Sequence, residues 1–219
     1  MKAQNTRDRL LDAAQKLFVE RGIDATSLRS ITKEAEANLA SVNYHFGSKD
    51  ELIIAVFARH LEPLNTERIR LLDALEKQSG ENALPLEAIL EAFLTPAFEM
   101  MKNQKPREFV CLLGRLFTES NELRMAIMHQ FQEVQQRFFA AIHRTLPDLP
   151  FEDLTWRAHF MIGAMAHTFA VPEKLSIPSS NEMYNTSDTN IMHHLITFAA
   201  AGLRAPVSSN GNGANKQWN

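Results

Sequence analysis

Apolar residues along this chain recur at helical spacing, and no segment sustains the two-residue alternation of a half-buried strand. Leu10, Ala14, Leu17 and Phe18 make a first stripe, opened by Asn5 or Thr6 as a cap and closed by Gly22. A short second helix follows, capped by Thr26 or Ser27, with Leu28, Ile31 and Ala35 turned inward. A break falls at residues 36–38, and a third helix runs from Leu39 to about Tyr44. Ser48-Lys49-Asp50-Glu51 has the form of a capping box for a long fourth helix, lined by Leu52, Val56, Phe57, Leu61 and Leu64. Pro63 lies inside that pattern and is expected to kink or interrupt it. Beyond a linker at residues 78–82, helical segments are predicted at about 84–103, 107–120, 121–145, 152–170 and 189–204, with Pro96 bending the first. Residues 146–150 and 178–190 read as loops, and 207–219 as a disordered tail.

Composition narrows the class. The chain has 219 residues, 45% hydrophobic and 22% charged, which suits an ordinary globular protein. The single cysteine, Cys111, excludes an internal disulfide framework. No apolar run approaches the roughly 20 residues that span a bilayer, and the N-terminus has early acids and no apolar core. A cytoplasmic protein with no membrane partner is expected. Residues 1–60 carry 9 Lys and Arg against 8 Asp and Glu, or +1, and the remainder 14 against 18, or −4. Any nucleic-acid binding therefore rests on placed groups rather than a broad basic field.

The stretch Asn38 to Lys49, NLASVNYHFGSK, sets Val and Phe beside Tyr, His and Asn on one short helix. A helix packed on one side and offered to a polar partner on the other suits that mixture. Helix, short turn and short helix within residues 27–45 form a helix-turn-helix pattern, in which the second helix enters the major groove of DNA. Val42 and Phe46 would pack against Ile31 and Ala35, leaving Ala40, Ser41 and Asn43 outward. Tyr44, His45 and Lys49 can donate to phosphates, and the Thr26/Ser27 cap adds a helix N-terminus suited to an anion. A plain helical hairpin with Tyr and His as surface groups fits the spacing about as well.

Residues 6–60 resemble the DNA-binding domain of the TetR family of one-component regulators. The resemblance is carried by Ala13-Ala14, Leu17-Phe18, Gly22, Thr26, Ile31, Ala35, the NYHF run at 43–46, Ser48-Lys49 and Leu52. It implies base reading by Arg29, Leu39, Ala40 and Ser41, and phosphate contacts from Thr26, Asn43, Tyr44, His45 and Lys49, beside the Ser27 cap. One departure stands out. The family usually places Gly in the turn where this chain has Glu36. Glu tolerates a left-handed backbone poorly, so either the turn is built differently or it carries strain of roughly 1 kcal/mol.

Ten of 14 Phe and six of nine Met lie between residues 90 and 170. Such side chains usually build a packed core, and they can also line an adaptable apolar cavity. The family's C-terminal domain is a ligand-binding helical bundle. The blocks ATSLRSITKEA, NLASVNYHFGSK, CLLGRLF, LTWRAHFMIGAMA and FAAAGLRA are similar to the PsrA-type subgroup, which regulates fatty-acid degradation and leaves DNA when long-chain fatty acids bind. A fatty acid asks for an apolar slot and a cation or donor at one end. Slot candidates are Phe93, Met100, Leu113, Phe117, Phe138, Met161 and Met165, and head-group candidates are Arg115, Arg157, His159 and His167. Each of these four equally suits a structural contact. Gly163, Ala164, Ala166, Ala199, Ala200 and Gly202 stud the last two long helices. They allow close packing within the chain or, as the resemblance implies, a four-helix interface between two copies.

The resulting expectation is an all-α chain. A helix-turn-helix domain at 1–50 is followed by a connecting helix at 51–78, a ligand-binding and dimerisation domain at 79–205, and a tail at 206–219. It would be a homodimeric repressor that binds double-stranded DNA at a palindromic operator and is released by a long-chain fatty acid or acyl-CoA. The alternative is a TetR-type repressor of efflux genes that answers to drugs or other hydrophobic compounds. An enzyme lacks support, because the chain has no G-x-S-x-G, H-E-x-x-H, P-loop or G-x-G-x-x-G motif. No cofactor or metal is expected, since the His pairs 193/194 and 129/143 lack ligand spacing with Cys or carboxylates. An adaptor that does not bind DNA is the remaining class.

Overall fold

A computed structural model describes residues 5–80, 82–101, 112, 120–170, 174–176, 183–185 and 188–207. The expectations for a helix over 107–120, for Leu113, Arg115 and Phe117 as ligand residues, and for the tail beyond 207 lie outside the described residues or nearly so. Among the described residues the chain is all-α apart from one small hairpin. The first four helices are α1 (Thr6–Arg21), α2 (Leu28–Glu34), α3 (Leu39–Phe46) and α4 (Lys49–Ser79). They are followed by α5 (Leu86–Met101), α6 (Asn121–His129), α7 (Gln132–Thr145), α8 (Phe151–Ala170) and α9 (Asp188–Arg204). The hairpin pairs β1 (Lys174–Ser176) with β2 (Met183–Asn185) antiparallel, Leu175 opposite Tyr184. It occupies part of a region expected to be loop.

Local chemistry sets most helix ends. The Asn5 side chain accepts from the Arg7 amide, and Ser48 Oγ accepts from the Glu51 amide at 3.1 Å. Each satisfies an amide that the first helical turn leaves without a partner. Gly22, Gly47 and Gly80 follow α1, α3 and α4, all with positive φ. Neither proline interrupts its helix: α4 continues through Pro63 and α5 through Pro96. Each simply leaves the carbonyl four residues earlier without its helical donor.

One expected helix, over 121–145, is two. The chain turns at Gln130 and Phe131, whose amides bond back only three residues, to Ile127 and Met128. The Gln130 carbonyl accepts instead from Asn65 Nδ2 of α4 at 2.9 Å. No Gly or Pro marks this break. It lets Phe131 pack on one core while Val134 and Phe138 enter another.

Among the described residues two large apolar cores hold the molecule, with a small third one at Leu94, Phe98 and Leu195, and α4 runs through both large ones. The first joins α1–α3 to Leu52, Ile53, Val56, Phe57, Leu61 and Leu64 of α4, and reaches Ala97 in α5 and Ile127 in α6. The second gathers Leu72 of α4 with Leu86, Ile89 and Leu90 of α5, and with side chains from α7, α8 and α9. Outside the second core an ionic network ties α7 to α4. Arg137 meets Asp73 at 2.5 Å and Glu76 at 2.8 Å, and Arg144 also reaches Glu76.

Partial burial would push the Glu76 carboxyl up, but hydrogen bonds from Arg144 and Arg137 outweigh it and hold the carboxyl below its ordinary value. A lowered folded-state pKa means that this contribution is full above the unfolded value near 4.5 and fades as pH falls through the folded one. Glu76→Gln is therefore expected to lose about 1 kcal/mol at neutral pH. In urea titrations from pH 7 to pH 3, the difference from wild type should start to shrink below about pH 4.5. A difference independent of pH would show that the network contributes through packing alone.

Candidate functional site

The sequence of α2, turn and α3 explains how one face is clamped and the other offered. Ser27 caps α2: its Oγ accepts from the Ser30 amide at 3.1 Å, and Ser30 Oγ accepts from the Ser27 amide at 3.1 Å. Asn38 caps α3, its Oδ1 accepting from the Ser41 amide at 2.8 Å and from Ser41 Oγ at 2.9 Å. Val42 and Ile31 are fully buried, Ala35 is 4% exposed, and Phe46 packs against the same core. The opposite face presents Leu39, Ala40, Asn43 and Tyr44 to solvent, with Tyr44 85% exposed. Arg29 and Ser27 are exposed beside them, Ser41 is half-buried, and His45 is half-buried with its ring 5.0 Å from that of Tyr44.

The turn answers the question raised by Glu36. Its φ is +49°, so it takes the left-handed conformation despite its side chain. The Ala37 amide donates to Thr32 O at 2.9 Å and the Glu36 amide to Lys33 O at 3.3 Å. This is a Schellman closure with Glu in the place that favours glycine. The local geometry is retained and the strain is carried.

Two of the expected phosphate contacts are engaged inside the protein. Thr26 is 1% exposed, and its hydroxyl donates to Gly22 O at 2.7 Å, with Leu17 O at 3.3 Å. It fastens the α1–α2 connection, and its hydroxyl faces inward rather than toward a partner. Lys49 donates to Ile23 O at 2.9 Å. An ammonium has three donors, so this tether still leaves it capacity for a phosphate.

The expected effector residues divide. Phe93 and Phe138 meet edge to face at 5.3 Å in the second core, with Met161 in the same cluster. Met100 and Met165 pack on the first. Arg157 is occupied: it donates to Leu203 O at 2.9 Å and Ala205 O at 2.7 Å at the end of α9, and it lies 3.5 Å from Asp153. It closes a helix C-terminus, which removes it as a free head-group partner. His159 and His167 are both exposed, pointing away from the apolar interior. One open cleft of about 610 Å³ lies between α1 and α4, and another of about 570 Å³ lies beside Glu76 and Arg144. Neither is lined by an expected ligand residue.

The small residues of the last helices divide too. Ala199 and Ala200 are buried in the second core, where they serve packing within the chain. Ala164 is half-buried, whereas Gly163, Ala166 and Gly202 are exposed. They share the surface with Trp156, Phe160 and Phe198, which are 55%, 62% and 63% exposed. The sequence reading missed these aromatics. Their i, i+4, i+7 spacing with Gly163 in α8 was the available signal, a second apolar stripe on a helix that already had one.

Comparison with known proteins adds to this geometry. Residues 10–56 match the model for bacterial regulatory proteins of the tetR family, and residues 91–202 match that for the tetracyclin repressor-like C-terminal domain. The chain is 28% identical to the HTH-type transcriptional regulator UidR of Escherichia coli (strain K12) over 183 residues, 75% of this chain and 91% of the relative. Over 70 residues, 32% of this chain and 36% of the relative, it is 40% identical to the HTH-type nicotine-responsive transcriptional repressor HdnoR of Paenarthrobacter nicotinovorans. The solved structure of the fatty acid degradation regulator FadR from Bacillus halodurans superposes with a TM-score of 0.57 at 17% identity, over 94% of this chain and all of that one. At that identity the likeness is one of fold.

Replacing Glu36 by glycine relieves the left-handed strain, at some cost in unfolded-chain entropy. Glu36→Gly is expected to raise the melting temperature by about 2 °C, from a net gain of about 0.5–1 kcal/mol. An unchanged or lower melting temperature would mean that the turn is not strained.

Proposed function

The chain belongs to the TetR family and is a DNA-binding transcriptional regulator, and we propose that it is a homodimeric repressor of fatty-acid metabolism genes. In this reading a long-chain fatty acid or acyl-CoA releases it from a palindromic operator. The observation that carries the DNA half is the division of α3: Val42 is fully buried while Leu39, Ala40, Asn43 and Tyr44 stand in solvent. Small side chains at Ala40 and Ser41 let the helix approach base edges. Arg29, exposed beside them, would take a guanine edge bidentately. Ser27, Asn43, Tyr44, His45 and Lys49 supply donors for phosphates on either side. Thr26 contributes by holding the loop in shape.

The fatty-acid assignment is supported by the PsrA-like blocks and by the Phe- and Met-rich interior around Phe93, Phe138 and Met161. Coupling follows from α4, which starts beneath the reading head and ends in the effector bundle. A ligand that prefers one setting of α4 changes the separation of two reading heads, and it acts only as far as that preference goes.

Two reading heads require two copies. The exposed face built from Trp156, Phe160 and Gly163 of α8 with Phe198 and Gly202 of α9 suits a second copy of itself. Among the described residues a Cβ built on Gly163 or Gly202 meets no atom within 4 Å, so none of them requires glycine there. A charge in this face would be buried without a partner on association. Phe160→Glu and Phe198→Glu are each expected to give monomers in sedimentation velocity, with native helicity and operator affinity lower by at least about tenfold. A dimer that survives both would move the interface elsewhere.

The effector half is tested by a DNA-shift titration at fixed salt on the promoter of the chain's own gene, with and without oleate or oleoyl-CoA. Specific binding released by one of them is the expected result. Binding that ignores both but yields to drug-like hydrophobic compounds would move the assignment to the efflux reading.

A further inference from the structure

The buried polar groups of α4 include one that the sequence reading did not single out. Arg68 is 2% exposed, about one turn beyond Pro63. Its Nε donates to Phe93 O in α5 at 2.9 Å, one Nη donates to Asn65 Oδ1 at 3.3 Å, and its guanidinium lies 3.9 Å over the Phe93 ring. Among the described residues no carboxylate meets it. A buried guanidinium is normally paired with an acid, because taking its charge out of water is costly unless an opposite charge replaces the lost hydration. Here the acceptors are a carbonyl, an amide and a ring face, all neutral. Burial accordingly pushes the Arg68 guanidinium down to about 9. The seam continues from Asn65 to Gln130 O, and Gln130 Oε1 is itself buried with no hydrogen-bond partner among the described residues. Both ends of the seam therefore hold unused polar capacity.

We propose that Arg68 is the anion anchor of the effector site, taking the carboxylate of an otherwise apolar ligand that enters between α4 and α5. The inference rests on the effector reading above and names the residue and the charge that the site selects. A carboxylate can engage the guanidinium through two parallel charge-assisted hydrogen bonds, stronger than those to neutral acceptors. It would relieve the cost that the unpaired cation carries. The same exchange takes Arg68 from Phe93 O, one of the hydrogen bonds that tie α4 to α5. It also disturbs Asn65, which holds the α6–α7 turn, and Gln130 of that turn reaches back to Ile54 O through Nε2 at 3.5 Å. Ile54 lies in the first turns of α4, next to the reading head. An anion at Arg68 thus has different contacts in the two settings of α4, which is what release from DNA demands.

The rival reading makes Arg68 a cross-link between α4 and α5 and nothing more. The test uses the full chain as wild type, Arg68→Met and Arg68→Lys, titrated calorimetrically with matched acids and alcohols: oleate with oleyl alcohol, and 2-naphthoate with 2-naphthol. Wild type is expected to favour at least one acid over its alcohol by about tenfold or more. Arg68→Met should erase that preference by weakening the acid alone, with the alcohol within about twofold. It should also melt no lower than wild type without ligand, since it removes an unpaired buried charge. Arg68→Lys should lose about three- to tenfold for the acid, because an ammonium lacks the bidentate fork. If Arg68→Met does not fold, Arg68→Lys decides, and unchanged acid affinity in it overturns the proposal. So does a wild type with no preference for either acid, or an Arg68→Met that keeps the preference. Naphthoate binding that depends on Arg68, without oleate binding, would uphold the anchor and sink the fatty-acid reading. Oleate release from DNA that survives Arg68→Met would do the reverse.

Discussion

The structure depends on α4 being buried twice. A helix of 31 residues spans roughly 46 Å, and its buried apolar residues are shared between the two large apolar cores. Its first half is a wall of the domain that carries α3, and its second half is a wall of the effector bundle. Because Leu52 to Leu64 and Leu72 lie on one continuous rod, a shift at one end cannot be absorbed without repacking the other. Close-packed interiors resist such gradual deformation and favour discrete arrangements. The helix is weakened at one place, Pro63, where a helical hydrogen bond is missing. Its buried polar residues, Asn65 and Arg68, follow within about a turn.

That placement makes the polar seam the costly part of the design. An apolar core of similar shape would hold α4, α5 and α7 together at least as well, because a buried charge seldom repays its desolvation. Arg68 spends its donors on neutral acceptors and a ring face. Asn65 spends its amide on bending the α6–α7 junction. Groups that are expensive to bury and incompletely partnered mark places where a protein does something besides fold.

The reading head follows the opposite logic. Its sequence is locally consistent: Ser27 and Asn38 cap, Val42 packs, and Ala40 and Ser41 stay small. The one inconsistency, Glu36 at φ +49°, is tolerated because the hydrogen bonds of Ala37 and Glu36 to the end of α2 over-determine the turn. Thr26 shows the limit of reading roles from a motif. Its hydroxyl is engaged in two internal hydrogen bonds, although its place beside a helix N-terminus makes it look like an anion contact.

Short-range chemistry was enough for the helical class, for the cap at Ser48, for caps narrowed to Asn5 or Thr6 and to Thr26 or Ser27, for the glycine end at Gly22, and for the inward face of α3. Each depends on residues within a few positions of one another, so the amino-acid sequence by itself determines them. Tertiary structure decided the rest. It ended α6 at His129 by drawing the Gln130 carbonyl to Asn65, a partner 65 residues away that no local pattern encodes. It turned Ala199 and Ala200 inward and left Gly163 and Gly202 outward, although all four are small residues on the last helices. It placed Arg157 on the end of α9 and enclosed Arg68 between helices, so that of two arginines alike in sequence one is a cap and the other a buried charge. The physical reason is common to all three. Which neighbour a side chain meets across a packed interface depends on how whole helices are set against each other, and spacing along the chain does not specify that.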